Sequence, residues 1–373
     1  MIEVHENSAV SKLALDAQHR QLNASMEERD GWLVPRSYND IAVEYQAVRG
    51  EGAGLIDLSA RGRVLVTGSE AVQFLNGLVT NDLKTLAENS WMPAAFPNAQ
   101  GRLIAAVRIA NLPLEGKPAF LIDTDPVAHA KVRQMLERFT FAGDFHLRDL
   151  TNETALLSLQ GKTAEKILGS VIERNNVPAE AQALTQFRWK HSDVDSRMSV
   201  MHASHTGADG FDLFVENHAA TKLWLAMVEA GAQPLGYETL ETLRIEAGIP
   251  RYGVDMDETN IVTETNLDDA VSYTKGCYIG QEIIARIKYR GHVAKKLAGL
   301  VLDQKGTPIA GAIVKSTDDK DIGKITSTTR SPALDRTIAL AYLKYDWLKP
   351  GTRVKVTGDQ EFEGEVIELP FLR

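Results

Sequence analysis

Residues 275–291 read KGCYIGQEIIARIKYRG, and this stretch divides the chain into two parts with different patterns. Its isoleucines recur at helical spacing after a glycine, which predicts a helix that starts near Gly280 or Gln281. Upstream of the stretch, strand-like and helix-like segments are mixed. Downstream, short strands follow one another and no helical pattern competes with them. The stretch therefore marks the end of a region that mixes helices and strands.

The part of the chain from Lys295 onward predicts a small β domain. Its strand-like runs are short and are separated by turns rich in Gly, Pro, Asp and Lys. Short strands at this spacing are typical of a small barrel or sandwich. We place the domain boundary near residue 292, so that this domain spans 292–373. The six runs are Leu297–Leu302, Ala312–Lys315, Ile322–Thr328, Ile338–Leu343, Arg353–Val356 and Glu363–Glu368.

Residues 38–291 predict two blocks of mixed structure, 38–150 and 151–291. Strand-like runs in each block come in pairs instead of alternating strictly with helices, which favours an α+β architecture over an α/β one. Residues 1–37 mix charged and apolar positions, and we interpret them as an N-terminal extension or helical arm. The predicted fold class is therefore α+β, with two subdomains followed by a C-terminal β-barrel.

The composition excludes several broad classes of protein. The chain has 373 residues, of which 44% are hydrophobic, and a net charge of −9. Broad nucleic-acid binding relies on a cationic surface, so we expect no direct nucleic-acid partner. No run is apolar for long enough to span a bilayer, and the N-terminus lacks the apolar core of a signal peptide. With a single cysteine and no internal disulfide, we expect a cytoplasmic protein and no membrane partner.

Cys277, the single cysteine, has two interpretations. A free cysteine is commonly a small buried hydrophobic residue. Here the residue lies between Gly276 and Gly280, beside Lys275 and close to the predicted helix start. A helix N-terminus and a nearby cation both favour a nucleophilic thiolate. We therefore predict that Cys277 is exposed and reactive, with Lys275 as its partner in catalysis.

The stretch KGCYIGQE, continuing as IIARIKYRG, resembles the signature of the YgfZ family, folate-binding proteins that support iron–sulfur enzymes. The segment RIEAGIPRYGVDMDE at 244–258 is similar to this family and to its larger relative, the aminomethyltransferase (T-protein) of glycine cleavage. Weaker similarities to the T-protein run through residues 54–83, 159–168 and 205–214. The resemblance spans about residue 38 to the end, and it implies the fold of the aminomethyltransferase.

The resemblance also implies a cofactor, tetrahydrofolate or a derivative. The pocket would lie where the α+β blocks meet the loop that carries Lys275. The residues implied for it are Asn98, Gly101, Asp209, Arg244 and Lys275. To these we add Arg290 as a candidate for the glutamate tail of the folate. Arg244 has an alternative interpretation as a structural ion pair with Glu241 or Glu246. The basic residues between 286 and 296 also have two interpretations. They form either a site for an anion such as this tail or a solvated helix end and linker.

The partners that the resemblance implies are iron–sulfur client enzymes or assembly proteins, including enzymes that modify tRNA. An iron–sulfur cluster is usually held by about four protein ligands, so one cysteine cannot hold a cluster alone. We expect no intrinsic metal, and Cys277 would supply one ligand to a cluster shared with a partner.

Two functions therefore compete. The first is a folate-binding accessory protein that supports iron–sulfur cluster assembly or repair through Cys277, and the alternative is a tetrahydrofolate-dependent aminomethyltransferase. The T-protein carries a carboxylate pair where this chain has Ala105 and Ala106, and a pterin-reading glutamate where it has Ala208. Because a methyl group cannot stabilise a developing cation, these alanines favour the accessory function.

Overall fold

The computed structural model describes residues 10–38, 40–141, 143–304, 306–358 and 360–372. These residues form three open sheets and one closed barrel. None of the helices within the described ranges is long and apolar enough to cross a membrane.

The N-terminal segment forms a small sheet where the sequence predicts an extension or arm. The three strands pair in the order β1-β3-β2. His19 is fully buried, and its ring bonds the Asp57 carboxylate at 2.9 Å and the Tyr38 hydroxyl at 2.8 Å. Polar side chains of this segment are thus buried with partners, so its mixed polarity does not make it an exposed arm. Residues 1–9 of the predicted extension lie outside the described residues. The elements are β1 (Ser11–Lys12), α1 (Asp16–Gln21), β2 (Ser25–Arg29) and β3 (Trp32–Ser37).

The first of the two larger sheets has five antiparallel strands in the order β6-β7-β8-β5-β9. Alternate residues of β7 point to opposite faces, and the face that includes Leu103 and Val107 packs into the core. The elements of this region are α2 (Ile41–Arg49), β4 (Gly54–Asp57), β5 (Gly62–Thr67), α3 (Ala71–Leu78), a 3₁₀ helix (Leu83–Thr85), β6 (Ser90–Pro97), β7 (Leu103–Asn111), β8 (Ala119–Thr124), α4 (Pro126–Glu137) and β9 (His146–Asp149).

The second sheet has six strands in the order β11-β12-β13-β10-β4-β14. Strand β4 comes from the first predicted block and pairs with β10, so the two blocks interlock instead of folding side by side. The elements are β10 (Thr154–Gln160), α5 (Ala164–Val171), a 3₁₀ helix (Arg174–Asn176), β11 (Leu184–His191), β12 (Val194–His202), β13 (Gly210–Glu216), α6 (Asn217–Glu229), β14 (Gln233–Pro234), α7 (Tyr237–Glu246), two 3₁₀ helices (Val262–Glu264 and Asp268–Ala270) and α8 (Gln281–Arg290).

The C-terminal strands close into a barrel in the order β15-β18-β17-β16-β19-β20. Each of the six predicted runs overlaps one of its strands, and the predicted α+β class with a C-terminal barrel is confirmed. Closure leaves no strand of the barrel with an unpaired edge. The elements are β15 (Lys295–Leu302), β16 (Ile313–Ser316), β17 (Asp321–Ser331), β18 (Arg336–Lys344), a 3₁₀ helix (Tyr345–Trp347), β19 (Arg353–Val356) and β20 (Phe362–Ile367).

Glu246 joins the barrel to the rest of the molecule. The residue is fully buried at the end of α7. Its carboxylate accepts hydrogen bonds from the Tyr45 hydroxyl at 2.8 Å, from Arg49 Nε at 3.0 Å and from the Ser331 hydroxyl at 2.6 Å. Because these donors lie on α2 and β17, one carboxylate fixes three separate parts of the chain.

We expect Glu246→Ala to lower the free energy of unfolding by about 3 kcal/mol, because it leaves Arg49 and two hydroxyl groups without their acceptor. Urea unfolding measures this change. The control is Glu229→Ala, at an exposed position at the end of α6, where we expect a change within about 0.5 kcal/mol. Equal effects of the two substitutions would contradict the role given to Glu246.

Candidate functional site

A cavity of about 320 Å³ lies between the first sheet, the segment before β13 and helix α7. Its volume is within the range of small-molecule pockets. Two grooves of about 640 and 670 Å³ lie elsewhere, one along the barrel and one beside β11 and β12. Of these three, only the smallest is lined by Arg244 together with Arg108 and His205, which belong to a buried chain of ion pairs. We therefore take it as the candidate site.

Strand β7 contributes Ala106 and Arg108 to the cavity wall. Ala105, their neighbour, faces the other way and is fully buried in the core. This follows from the two-residue period of a strand. Of the two alanines that the resemblance aligns with the T-protein's carboxylate pair, only Ala106 lines the cavity.

A chain of ion pairs starts behind the cavity wall at Asp123 on β8. Arg61 Nε lies 2.8 Å from one Asp123 oxygen, and Arg108 Nε lies 2.6 Å from the other. Arg61 also pairs with Asp125 at 2.8 Å. Burial by itself would raise the pKa of Asp123, but the two guanidinium groups lower it to about 2. Asp123 is therefore a fixed negative charge between two cations.

The same chain of ion pairs continues from Arg108 to the second sheet. Arg108 Nη1 lies 2.7 Å from Asp212 on β13, a fully buried residue. The Asp212 oxygens lie 2.9 and 3.1 Å from Nε2 of His205, which lines the cavity. Burial opposes the ionisation of Asp212, but His205 and Arg108 hold its pKa well below the usual range. Arg108 thus links one sheet to the other, with His205 at the cavity end.

Arg244, one of the residues that the resemblance implies for a folate pocket, lines the cavity from α7. It is also ion-paired with Glu241 and, at 2.7 Å, with Asp255, so the structural alternative holds for Glu241 and not for Glu246. Its Nη2 donates to Ser327 Oγ on the barrel at 2.8 Å. Its Nε is buried and has no hydrogen-bond partner within the described residues.

Two aromatic rings stand in the wall with cations over their faces. The Arg108 guanidinium lies 5.7 Å from the Trp91 ring centroid, and that of Arg29 lies 5.3 Å from the Tyr237 centroid. Such walls offer flat apolar area beside charged hydrogen-bond donors. They suit a planar, polar ligand.

Asn98 and Gly101 do not line this cavity. The Asn98 side chain accepts hydrogen bonds from the backbone of Gln100 and Arg102 and so closes a tight turn. Gly280, at the start of α8, packs on this turn so closely that an added Cβ would lie 2.4 Å from Asn98 O. The turn that contains both residues supports the start of α8, and their contact with a folate stays a prediction.

Asp209 and Arg290 also lie away from the cavity wall. Asp209 is half-exposed and bonds His202 Nε2 at 2.5 Å. Arg290 is the exposed last residue of α8. A role for either residue in ligand binding would need a site other than this cavity.

Lys275 has a structural role that its sequence neighbourhood did not predict. Its ammonium is buried and donates to three backbone carbonyls at the end of α3: Asn76 and Val79, each at 2.8 Å, and Asn81 at 2.5 Å. The last carbonyls of a helix have no partner within the helix, and Lys275 supplies one. Burial lowers the pKa of Lys275 to about 8, although Asp82 opposes the shift. The predicted catalytic and folate-binding roles of Lys275 stay predictions beside this structural role.

Cys277 is exposed, as predicted. Helix α8 begins at Gln281, one of the two predicted starts, after Gly280 with a φ of 78° that favours glycine. Within the described residues, no group of three or more His, Cys, Asp or Glu side chains is placed to hold a metal ion.

The residues of this site that the sequence did not predict are Arg108, Asp212, His205, Trp91 and Tyr237. One signal for Arg108 was available. Arg108 is the one charged residue in the apolar run Leu103–Ala110, and an arginine buried in a strand is usually ion-paired. The partners of Arg108 are distant in sequence, and no local pattern predicts them.

Comparisons with known proteins cover nearly the whole chain. The sequence profile described as the GCVT N-terminal domain matches residues 15–275, and that of the glycine cleavage T-protein C-terminal barrel domain matches 295–372. An aminomethyltransferase of Rubrobacter xylanophilus is 34% identical over 95% of this chain and 92% of its own length. One of Halothermothrix orenii is 30% identical over 97% of this chain and its own full length.

A solved structure shares the fold. The aminomethyltransferase T of the glycine cleavage system from Bartonella henselae superposes with a TM-score of 0.87 over 97% of this chain and 98% of that one, at 22% identity. These matches support the broader part of the resemblance, to the T-protein, and do not single out the YgfZ family.

We expect Lys275→Met to lower the free energy of unfolding by about 3 kcal/mol, because three carbonyls at the end of α3 lose their donor. Chemical denaturation measures the effect. Lys166→Met, at an exposed position of α5, is the control and should change stability by less than about 0.5 kcal/mol. A Lys275→Met protein as stable as this control would contradict the structural role.

Proposed function

Because the chain belongs to the glycine cleavage T-protein family, we propose that it binds tetrahydrofolate or a derivative in this cavity and transfers a one-carbon group between the folate and an amine. The curated relatives are named aminomethyltransferases, which supports this type of transfer. The observation that carries the proposal is the buried Arg244 in the cavity wall, with a guanidinium nitrogen that lacks a partner among the described residues.

The residues of the wall fit a reduced folate. Trp91 and Tyr237 offer flat surfaces to a planar ring, and Arg244 Nε is a donor for a ring oxygen or nitrogen. A buried donor without a partner costs free energy, and a ligand that accepts its proton removes this cost. Tetrahydrofolate would supply the nitrogen atoms that carry the one-carbon group; the protein would bind it, orient it and exclude water.

Ala106 determines how the transfer differs from that of the T-protein. The strand presents a methyl group at the position where a carboxylate would stand, so that position cannot take up a proton. A catalytic acid or base commonly contributes about a hundredfold to ten-thousandfold in rate. The transfer therefore depends on another titratable group in the cavity.

We expect Ala106→Leu to weaken tetrahydrofolate binding at least about tenfold, because the larger side chain takes up space in the cavity that Ala106 lines. Calorimetric titration with tetrahydrofolate measures the affinity. Ala130→Leu, on the exposed face of α4, is the matched control and should leave the affinity unchanged. Absence of binding by the unmodified protein, or equal binding by the two variants, would contradict the proposal.

A second function, support of iron–sulfur cluster assembly or repair, is favoured by one observation. Cys277 is exposed beside α8, and no hydrogen bond involves its thiol within the described residues. A thiol with no structural task is free to meet a client enzyme or an assembly protein. In this function the bound folate would have a redox or regulatory role. Any effect on tRNA modification would be indirect, through the iron–sulfur enzymes that modify tRNA.

Cys277→Ser separates the two functions. We expect the substitution to leave stability and tetrahydrofolate binding unchanged, because the thiol contributes little packing. A strain that lacks the gene, complemented with this variant, is assayed for iron–sulfur enzyme activity and tRNA thiolation. Full rescue would remove the cysteine from the mechanism and favour the transferase, whereas loss of cluster-enzyme activity despite normal folate binding would favour the accessory function.

A further inference from the structure

We propose that His205, oriented by Asp212 and Arg108, is the residue that takes up and returns a proton during the one-carbon transfer. The inference rests on the proposed transferase function and adds to it the group that replaces the missing carboxylate at Ala106. His205 belongs to the segment between β12 and β13 and lines the cavity together with Ala106 and Arg108.

The hydrogen bonds of His205 assign its tautomer. Both Asp212 oxygens lie within 3.1 Å of Nε2, so this nitrogen carries the hydrogen that it donates to the carboxylate. The Arg108 nitrogen at 3.3 Å from Nε2 is itself a donor and is paired with the same carboxylate. Nδ1 then keeps its lone pair, and no hydrogen bond to it is formed within the described residues. A neutral imidazole with a free Nδ1 is a base.

Arg108 and Asp212 hold the ring in place. Asp212 is fully buried between His205 and Arg108, and Arg108 is in turn held by Asp123. A carboxylate that accepts the proton of one imidazole nitrogen fixes the tautomer and the plane of the ring. Asp212 and Arg108 are therefore positioning residues.

The proposed step transfers one proton in each direction. An amine nitrogen forms a bond to the one-carbon unit, its N–H bond breaks, and the proton passes to Nδ1 of His205. The bond between the one-carbon unit and its donor heteroatom breaks, the electron pair stays on the heteroatom, and the heteroatom receives the proton from His205. No group is oxidised or reduced.

The chain contains a matched control. His202 bonds Asp209 through Nε2, and the two partners are seven residues apart, as are His205 and Asp212. His202 does not line the cavity, its Nδ1 lies 3.0 Å from Glu180 O, and Asp209 is half-exposed. The two pairs therefore share their chemistry and differ in their access to the cavity.

The test compares His205→Gln with His202→Gln. The assay follows consumption of methylenetetrahydrofolate with ammonium and a small thiol as acceptors, and calorimetry measures tetrahydrofolate binding. We expect His205→Gln to lower kcat at least about a hundredfold and to keep folate affinity within about threefold. His202→Gln should leave both kcat and folate affinity unchanged.

A spectroscopic readout separates proton transfer from mere support of the fold. Nuclear magnetic resonance of isotope-labelled histidine should show His205 with its hydrogen on Nε2, and tetrahydrofolate should shift the Nδ1 signal. Asp212→Asn should lower kcat and redistribute the hydrogen between the two nitrogens.

Each outcome decides one of the two claims. Unchanged kcat in His205→Gln, or a hydrogen on Nδ1 in the unmodified protein, would overturn the inference and leave the transferase function standing. An unmodified protein that neither binds tetrahydrofolate nor consumes the methylene derivative would overturn the proposed function, and the inference with it.

Discussion

The contact on which the site depends is the Arg108 guanidinium between two buried carboxylates. Asp123 holds it from the first sheet, and Asp212 holds it from the second. Removing one partner of a buried ion pair commonly costs about 3–5 kcal/mol, because a charge is left without compensation in a medium of low dielectric constant. The two ion pairs of Arg108 therefore hold the two sheets together beside the cavity. His205, which is bonded to the same Asp212, lines that cavity.

The conspicuous motif of the sequence has mainly a structural explanation. Lys275 closes the end of α3, and Gly280 lets α8 begin against the Asn98 turn. Gln281 reaches back to the carbonyl of Lys275 at 3.4 Å. These residues hold the connection to the barrel, and they would be required even if the loop met no ligand. Cys277 differs from them because its side chain is exposed and contributes to none of these contacts.

Local patterns predicted the parts of the structure that depend on local interactions. The barrel strands and the start of α8 follow from alternation, turn residues and helical spacing, which act over a few residues. The cavity follows from none of these, because it joins Arg108 to Asp212 across more than 100 positions of the sequence. For the same reason the pairing of β4 with β10 was missed: a strand of the first block completes a sheet of the second. Among the residues predicted for the folate pocket, Arg244 lines the cavity, and its position was inferred from a resemblance and not from its own neighbours.

The central claim is that the cavity between the two sheets is the place where a reduced folate binds. A crystal structure of the protein grown with tetrahydrofolate tests this claim most directly. We expect a pterin ring between Trp91 and Tyr237, with an acceptor atom at Arg244 Nε and a folate nitrogen within hydrogen-bond distance of His205 Nδ1. A folate bound instead at the loop of Lys275 and Cys277, with the cavity occupied only by water, would contradict it.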